Sequence, residues 1–169
     1  MSYQSEYPSG ASVDPEIVQF FEDFYRISDT PGAHDQYVDL FTSDATFRLA
    51  SKQAIGREGK HLFQRGGQNE FDANPIPEIT TIRHGMWAAV ASRKHTVPKI
   101  FPFGSNTNEF MLYGTVALGL KNGAESELEW AGRAQLVKSP TDGKWRMKFY
   151  QIYLVGIPIM IFTLIAWAS

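Results

Sequence analysis

Four histidines are the first residues to weigh, because imidazole takes and returns a proton near neutral pH. His95 opens a long strand-like segment, and His84 closes a stretch rich in glycine and proline. His34 and His61 fall on polar helix faces, where solvent exposure is the plain reading. The four lack close metal-ligand spacing and the chain has no cysteine, so no metal site, thiol nucleophile or disulfide is expected. No phosphate-cradling glycine loop, Ser-His-Asp motif or dinucleotide fingerprint is present, which leaves chemistry without a cofactor, or plain binding. His95 is the first choice of acid or base; a hydrogen-bonded structural histidine is the alternative for it and for His84. Tyr113, Tyr150 and Tyr153 could each offer a hydroxyl to a carbonyl, against the alternative of core aromatics with satisfied hydroxyls. Trp87 and Trp130 would supply flat apolar walls.

Arg133 depends on which way a strand faces. Under period two, Glu127, Glu129, Ala131, Arg133 and Gln135 share one face, and Leu128, Trp130, Gly132, Ala134 and Leu136 share the other. If the charged face lines a cavity, Arg133 could hold an enolate or carboxylate and Glu129 could be a base. If it faces outward, these are solvent or dimer-interface charges, Trp130 lines the pocket, and Gly132 and Ala134 permit close approach.

The elements that would position these groups are legible. Four strands follow one another over 94–104, 109–121, 125–139 and 144–154. The breaks between them are Gly104-Ser105-Asn106, Asn122-Gly123 and Pro140-Thr141-Asp142-Gly143, all turn chemistry. Helix-like segments come first. Asp14-Pro15 starts one, with Ile17, Phe20, Phe21, Phe24 and Tyr25 on a single apolar face. Ser28-Asp29-Thr30-Pro31-Gly32 ends it, and Ala33, Tyr37, Leu40 and Phe41 mark a second helix. Short strands are expected over 46–50 and up to Ile55-Gly56, then a third helix over 57–64. Helical patterning resumes at Met86, Trp87 and Val90. Helices first and a long antiparallel meander afterwards describe an α+β arrangement, a sheet curled around three helices with a pocket at its middle.

At 169 residues the chain is one domain with room for a core, and its net charge of −2 gives no electrostatic case for nucleic acid. Residues 1–12 are polar and small, are expected to be disordered, and lack the pattern of a signal peptide, so a cytoplasmic protein is the default. Residues 66–82 read as a surface insertion. From Ile152 to Ser169 there is no charged residue. As a helix, residues 155–169 would reach only ~22 Å, short of the ~30 Å apolar core of a bilayer. That tail is read as packing on the body or a partner, as a weak membrane-associating segment, or as an artefact of a wrong gene model.

Several blocks resemble fungal SnoaL-like proteins. They are Phe24-Tyr25-Arg26-Ile27-Ser28-Asp29-Thr30-Pro31, the run from Tyr37 to Thr46, and Gly85-Met86-Trp87. Ser92-Arg93-Lys94-His95-Thr96, the run Lys99 to Gly104, Met111 to Val116, Trp130 to Ala134 and Phe149 to Leu154 are similar too. The likeness spans about 14–154, and both the 66–82 stretch and the tail depart from it. It implies the nuclear transport factor 2-like cone, whose members include polyketide cyclases, scytalone dehydratase and ketosteroid isomerases. The catalytic aspartate of the steroid isomerases is not carried over, since Leu49 stands at the matching position.

What the resemblance implies is a cofactor-independent cyclase, isomerase or dehydratase acting on a hydrophobic polyketide- or terpenoid-like molecule. The alternatives are a non-catalytic binding pocket or a dimerisation module. In the enzyme reading His95, Arg133 and Tyr113 are catalytic, and Trp87, Trp130, Tyr150, Tyr153 and His84 bind substrate. A homodimer through the outer sheet face is expected, because a wide antiparallel sheet with one face on helices must cover or solvate the other.

Overall fold

The computed structural model describes residues 3–57 and 78–155. The first helix, α1 (Pro15–Ser28), begins where its sequence requires: the Asp14 side chain accepts the Glu16 backbone N–H at 2.9 Å, and Pro15 sits at the first helical position. Ile17, Phe20, Phe21, Phe24 and Tyr25 form its buried stripe. A short α2 (His34–Asp39) follows, then β1 (Phe41–Leu49), β2 (Lys52–Ile55) and α3 (Ile79–Gly85). The long meander is β3 (Val90–Pro102), β4 (Glu109–Leu120), β5 (Glu125–Lys138) and β6 (Trp145–Val155). The strands form one sheet in the order β2-β1-β6-β5-β4-β3. Every neighbouring pair is antiparallel except β1 and β6.

The helices lie in the concave face of this curved sheet. Phe24 is the hub, with its ring 5.2 Å from Tyr150, 5.4 Å from Tyr37 and 6.0 Å from Phe41. On β5 the inward set is Leu128, Trp130, Gly132, Ala134 and Leu136, so the charged set faces outward. The absence of a side chain at Gly132 makes room for two rings. A Cβ there would stand 3.3 Å from both Trp130 and Tyr150.

β1 begins at Phe41 rather than at 46, taking a residue expected on the second helix, and three further expectations change. Residues 3–12 are not disordered: Glu6 bridges to Lys99 in parallel register along the open edge of β3. Ile100 N–H donates to the Glu6 carbonyl, and Glu6 N–H to that of Pro98. Second, β3 starts at Val90, not 94, while Met86 and Trp87 are a capping turn, their N–H groups bonded to Ile82 and His84 carbonyls. Their spacing imitates a helix because it continues the turn of α3. Third, α3 itself occupies the end of the expected insertion, with Ile79, Ile82 and Arg83 buried. The rest of that stretch, the expected helix beyond Arg57, and the tail beyond Val155 lie outside the described residues. Among the described residues no helix is long and apolar enough to cross a membrane.

The tightest approach in the sheet lies at Gly114, opposite a register shift in β3 between Thr96 and Lys99. A Cβ there would sit 1.9 Å from the Thr96 carbonyl oxygen, a backbone atom that cannot rotate away. Gly114→Ala is therefore expected to cost ~2–3 kcal/mol and lower the melting temperature by roughly 5–10 °C. Thermal denaturation followed by circular dichroism checks this; an unchanged melting temperature contradicts it.

Candidate functional site

Asp29 terminates α1 as its C-cap, its own N–H bonded to the Tyr25 carbonyl at 3.0 Å. An acidic side chain at this end of a helix meets the negative pole of the helix dipole, so it needs donors and cations from elsewhere. β3 supplies most of them. The His95 backbone N–H donates to Asp29 Oδ2 at 2.7 Å, and His95 Nδ1 lies 2.5 Å from Oδ1. Arg93 Nε stands 3.3 Å from the same Oδ1, and a further Arg93 nitrogen donates to the carbonyl and hydroxyl oxygens of Ser28. The Tyr3 hydroxyl donates to Oδ2 at 3.1 Å. Burial pushes the Asp29 carboxyl up, but the bonds from His95 and the charge of Arg93 outweigh it and hold the group below its usual value. Asp29 is ionised.

A carboxylate only accepts, so Nδ1 of His95 carries the proton and Nε2 is the ring nitrogen left for a ligand. Burial pulls the imidazole down more than Asp29 pulls it up, with Arg93 and Lys94 adding to the fall. His95 is therefore neutral at pH 7, oriented through one nitrogen and basic at the other.

His95 lines a cavity of about 100 Å³. That space far exceeds the ~10–15 Å³ a single water needs. Its polar end is Arg93, His95 and Tyr150, beside Trp130. The remainder is aliphatic, with Leu118, Leu120, Leu128, Ile152 and Leu154 prominent. Behind the polar end, the hydroxyls of Tyr150 and Tyr25 lie 2.9 Å apart. Burial pushes both phenols well up, so both stay protonated. Tyr25 is not part of the lining; when its hydroxyl donates to Tyr150, the Tyr150 hydrogen is turned free for the cavity. Trp130 Nε1 is buried without a protein partner, a second donor in the wall awaiting an acceptor.

The structure thus brings His95, Tyr150 and Trp130 together and separates the other sequence candidates from them. Arg133 lies on the outer face, where Nε and Nη2 bond Glu109 at 2.8 and 2.7 Å and the guanidinium covers Phe149. Tyr113 and Tyr153 share that outer face with it, across the register Tyr113–Ala131–Tyr153, and each is more than 40% exposed. They must, since period two ties all of them to the side opposite Trp130. Trp87 is buried behind the cavity, its ring 4.8 Å from the Arg93 guanidinium and 5.4 Å from that of Arg83. Arg83 is fully buried and bonds the carbonyls of Ser28, Thr30 and Ile27 at 2.8, 3.1 and 3.3 Å. The His84 ring lies tilted against that of His34, centroids 4.1 Å apart, and does not line the cavity.

Asp29, Arg93 and Tyr25 were not singled out from the sequence. Asp29 and Arg93 stand inside blocks read for resemblance or for helix punctuation, and Tyr25 is read as part of the apolar face of the first helix. The available signal was Asp29 itself, an anion at the wrong end of a helix, which calls for a buried cation. Among the described residues there is no cluster of three or more histidine, cysteine or acidic groups suited to a metal ion.

Neither a family model nor a curated protein matches the chain. Solved structures do. Nuclear transport factor 2 from Cryptosporidium parvum superposes with a TM-score of 0.55 at 14% identity, over 80% of this chain and 89% of that one. ActVI-ORFA from Streptomyces coelicolor gives 0.60 at 15% identity, over 85% and 97%. A Novosphingobium aromaticivorans DSM 12444 protein, provisionally described as a scytalone dehydratase, gives 0.60 at 18%, over 84% and 83%. At these identities the likeness is one of architecture, and the chain has the nuclear transport factor 2-like fold.

Proposed function

We propose that the chain is a cofactor-independent enzyme that moves a proton on a hydrophobic, carbonyl-bearing small molecule, by isomerisation, cyclisation or dehydration of a polyketide- or terpenoid-like compound. The observation that carries this reading is the buried Asp29–His95 pair, with Nε2 left for the cavity. A carbonyl oxygen at the polar end accepts from the Tyr150 hydroxyl, and the aliphatic wall takes the carbon skeleton. His95 Nε2 removes a proton from the carbon beside the carbonyl. The electron pair moves into the new C=C bond and the oxygen becomes an enolate, held by Tyr150 and the positive charge of Arg93. Asp29 stabilises the imidazolium. The proton then returns to a different carbon in isomerisation. In dehydration it goes to a departing β-hydroxyl, which leaves as water while the carbonyl re-forms. The wall's mainly apolar character also suits a protein that only binds such a ligand; the two readings part on proton transfer.

The discriminating experiment follows deuterium exchange at carbons beside the carbonyl in a panel of cyclic and aromatic ketones, by proton NMR in D₂O. Wild type is expected to accelerate exchange, and His95→Gln and Asp29→Asn to lose ~10²–10⁴ of it with the circular dichroism spectrum intact. Saturable binding without exchange replaces the enzyme reading with the binding one. The pH profile has a definite sign. The active base is neutral His95, and its proton affinity is depressed, so kcat/KM falls on the acid side of a midpoint below the ordinary imidazole value of ~6.5. A midpoint above that value contradicts the assignment.

We also infer a homodimer through the outer sheet face. Stacked Phe101 and Tyr113, with Met111 and Tyr153, form an exposed apolar area around the Glu109–Arg133 pair. Sedimentation at micromolar concentration should give a dimer, and Tyr113→Asp should shift it toward monomer. A wild-type monomer removes the claim.

A further inference from the structure

The segment before α1 reaches further into the site than an edge cover needs to. Residues 3–7 run along the open edge of β3, tied by the Glu6 bonds to Pro98 and Ile100 and by the Ser5 hydroxyl, which donates to the Val97 carbonyl at 2.7 Å. That path sets the Tyr3 ring against Lys94, whose Nζ lies 3.2 Å from the ring centroid. The Tyr3 hydroxyl then lands on Oδ2 of Asp29, the oxygen that does not hold the His95 ring.

We propose that residues 3–7 belong to the site, and that Tyr3 is a positioning residue that holds the second oxygen of Asp29 and so fixes the orientation and charge of the Asp29–His95 pair. The functional weight of this rests on the reading of His95 as the proton-transfer group. The geometry is specific. Oδ1 takes the His95 ring and faces Arg93, while Oδ2 takes the His95 backbone N–H and Tyr3. Three hydrogen-bond donors and the Arg93 guanidinium, four groups in all, surround the ionised carboxylate. Three come from β3 and are fixed by its strand geometry. Tyr3 is the one delivered by a separate piece of chain, so it is the one whose presence can vary without remaking the sheet.

Its effect has a direction. A neutral donor on Oδ2 draws charge off the carboxylate and weakens the pull of Oδ1 on the imidazole proton. Without it, Asp29 holds its charge more tightly toward His95, and the imidazolium form gains. The other charges facing the pair do not supply this. Arg93 and Lys94 from β3 both lower the proton affinity of His95, and Arg83 from α3 and Arg26 from α1 add positive charge nearby. Tyr25 and Tyr150 stay protonated and neutral. Tyr3 itself is pushed up to about 12, by burial first and by Asp29 second, so it remains a donor throughout the working range.

The test is a titration of the full-length protein with isotopically labelled histidine, followed by NMR, with the His95 signal assigned by its loss in His95→Gln. Tyr3→Phe keeps the ring against Lys94 and removes only the hydroxyl. It is expected to raise the His95 midpoint by roughly 0.5 pH unit, about a threefold gain in proton affinity. If that midpoint lies below the acid limit of folding, the Nδ1 proton resonance is read instead, and should move downfield as its bond to Asp29 strengthens. Tyr7→Phe removes a hydroxyl from the same segment away from Asp29, keeps the ties that place Tyr3, and should leave both signals in place. An unchanged His95 signal in Tyr3→Phe overturns the proposal, as does an equal shift in Tyr7→Phe, which would reduce Tyr3 to general packing. No substrate is involved, so absence of turnover would sink the enzyme reading while leaving this result standing, and the reverse.

Discussion

The carboxylate of Asp29 is the constraint from which most of this structure follows. It is buried at the C-terminal end of α1, where the helix already presents unpaired carbonyls and the negative end of its dipole. Two demands arise at one place, donors for the carbonyls and cations for the charge. Arg83 and Arg93 meet both at once, bonding the carbonyls of Ile27, Ser28 and Thr30 while placing two guanidiniums near the carboxylate. Trp87 lies against both cations, which explains a large aromatic just beyond α3 better than a substrate-binding role does. Removal of any one member would leave a buried charge or carbonyl unpaired, so α1, α3 and β3 are locked to one another through the group that also orients His95.

The sheet's division into faces determines which polar residues can reach a ligand. Inward positions on β5 carry Trp130 and then Gly132, and the missing side chain at Gly132 lets the Trp130 and Tyr150 rings approach. Outward positions carry Glu127, Glu129 and Arg133; Arg133 pairs with Glu109 of β4, and the two glutamates are exposed. A one-residue slip of β5 would exchange the two sets, burying three charges and exposing Trp130; the hydrophobic alternation therefore fixes the register and, with it, the chemistry of the cavity.

The architecture was legible in the sequence because its signals are local. Asp14-Pro15, the Phe20-Phe21-Phe24 stripe, and Asn122-Gly123 each state an element within a few residues, and three of the four long strands begin and end within a residue or so of expectation. The site was legible only in part. His95 and Trp130 stand out by type, and Tyr150 only as one of three tyrosines able to offer a hydroxyl, since nothing local assigns the faces of the last strand. Asp29 did not, because a polar residue before Thr-Pro-Gly reads as helix punctuation, and nothing local says that a strand 66 residues later will close on it. Arg133 and Tyr113 drew attention as chemically capable groups, yet face and not capability decides access. The segment 3–7 was misread for a related reason: its composition is that of a disordered terminus, while its order comes from the unpaired edge of β3, which only the assembled sheet presents.

The charge inventory around His95 constrains what a base there can do. Two buried guanidiniums face one buried carboxylate, and the end of α1 offsets only part of the excess, about half a charge. A proton added to Nε2 enters a desolvated region where Arg93 and Lys94 offset part of the pull of Asp29, which is why the imidazole is held neutral. The balance changes when the proton comes from a bound molecule, because the anion left behind sits beside Arg93 and Tyr150 and compensates the new imidazolium. Protonation of His95 is then favourable only while that anion exists. The pair would collapse by handing the proton back, to the same carbon, to another, or to a leaving hydroxyl. Such a site favours ligands that acquire negative charge at the polar end in the course of reaction. A ligand that stays neutral gains only the apolar wall and the donors of Tyr150 and Trp130.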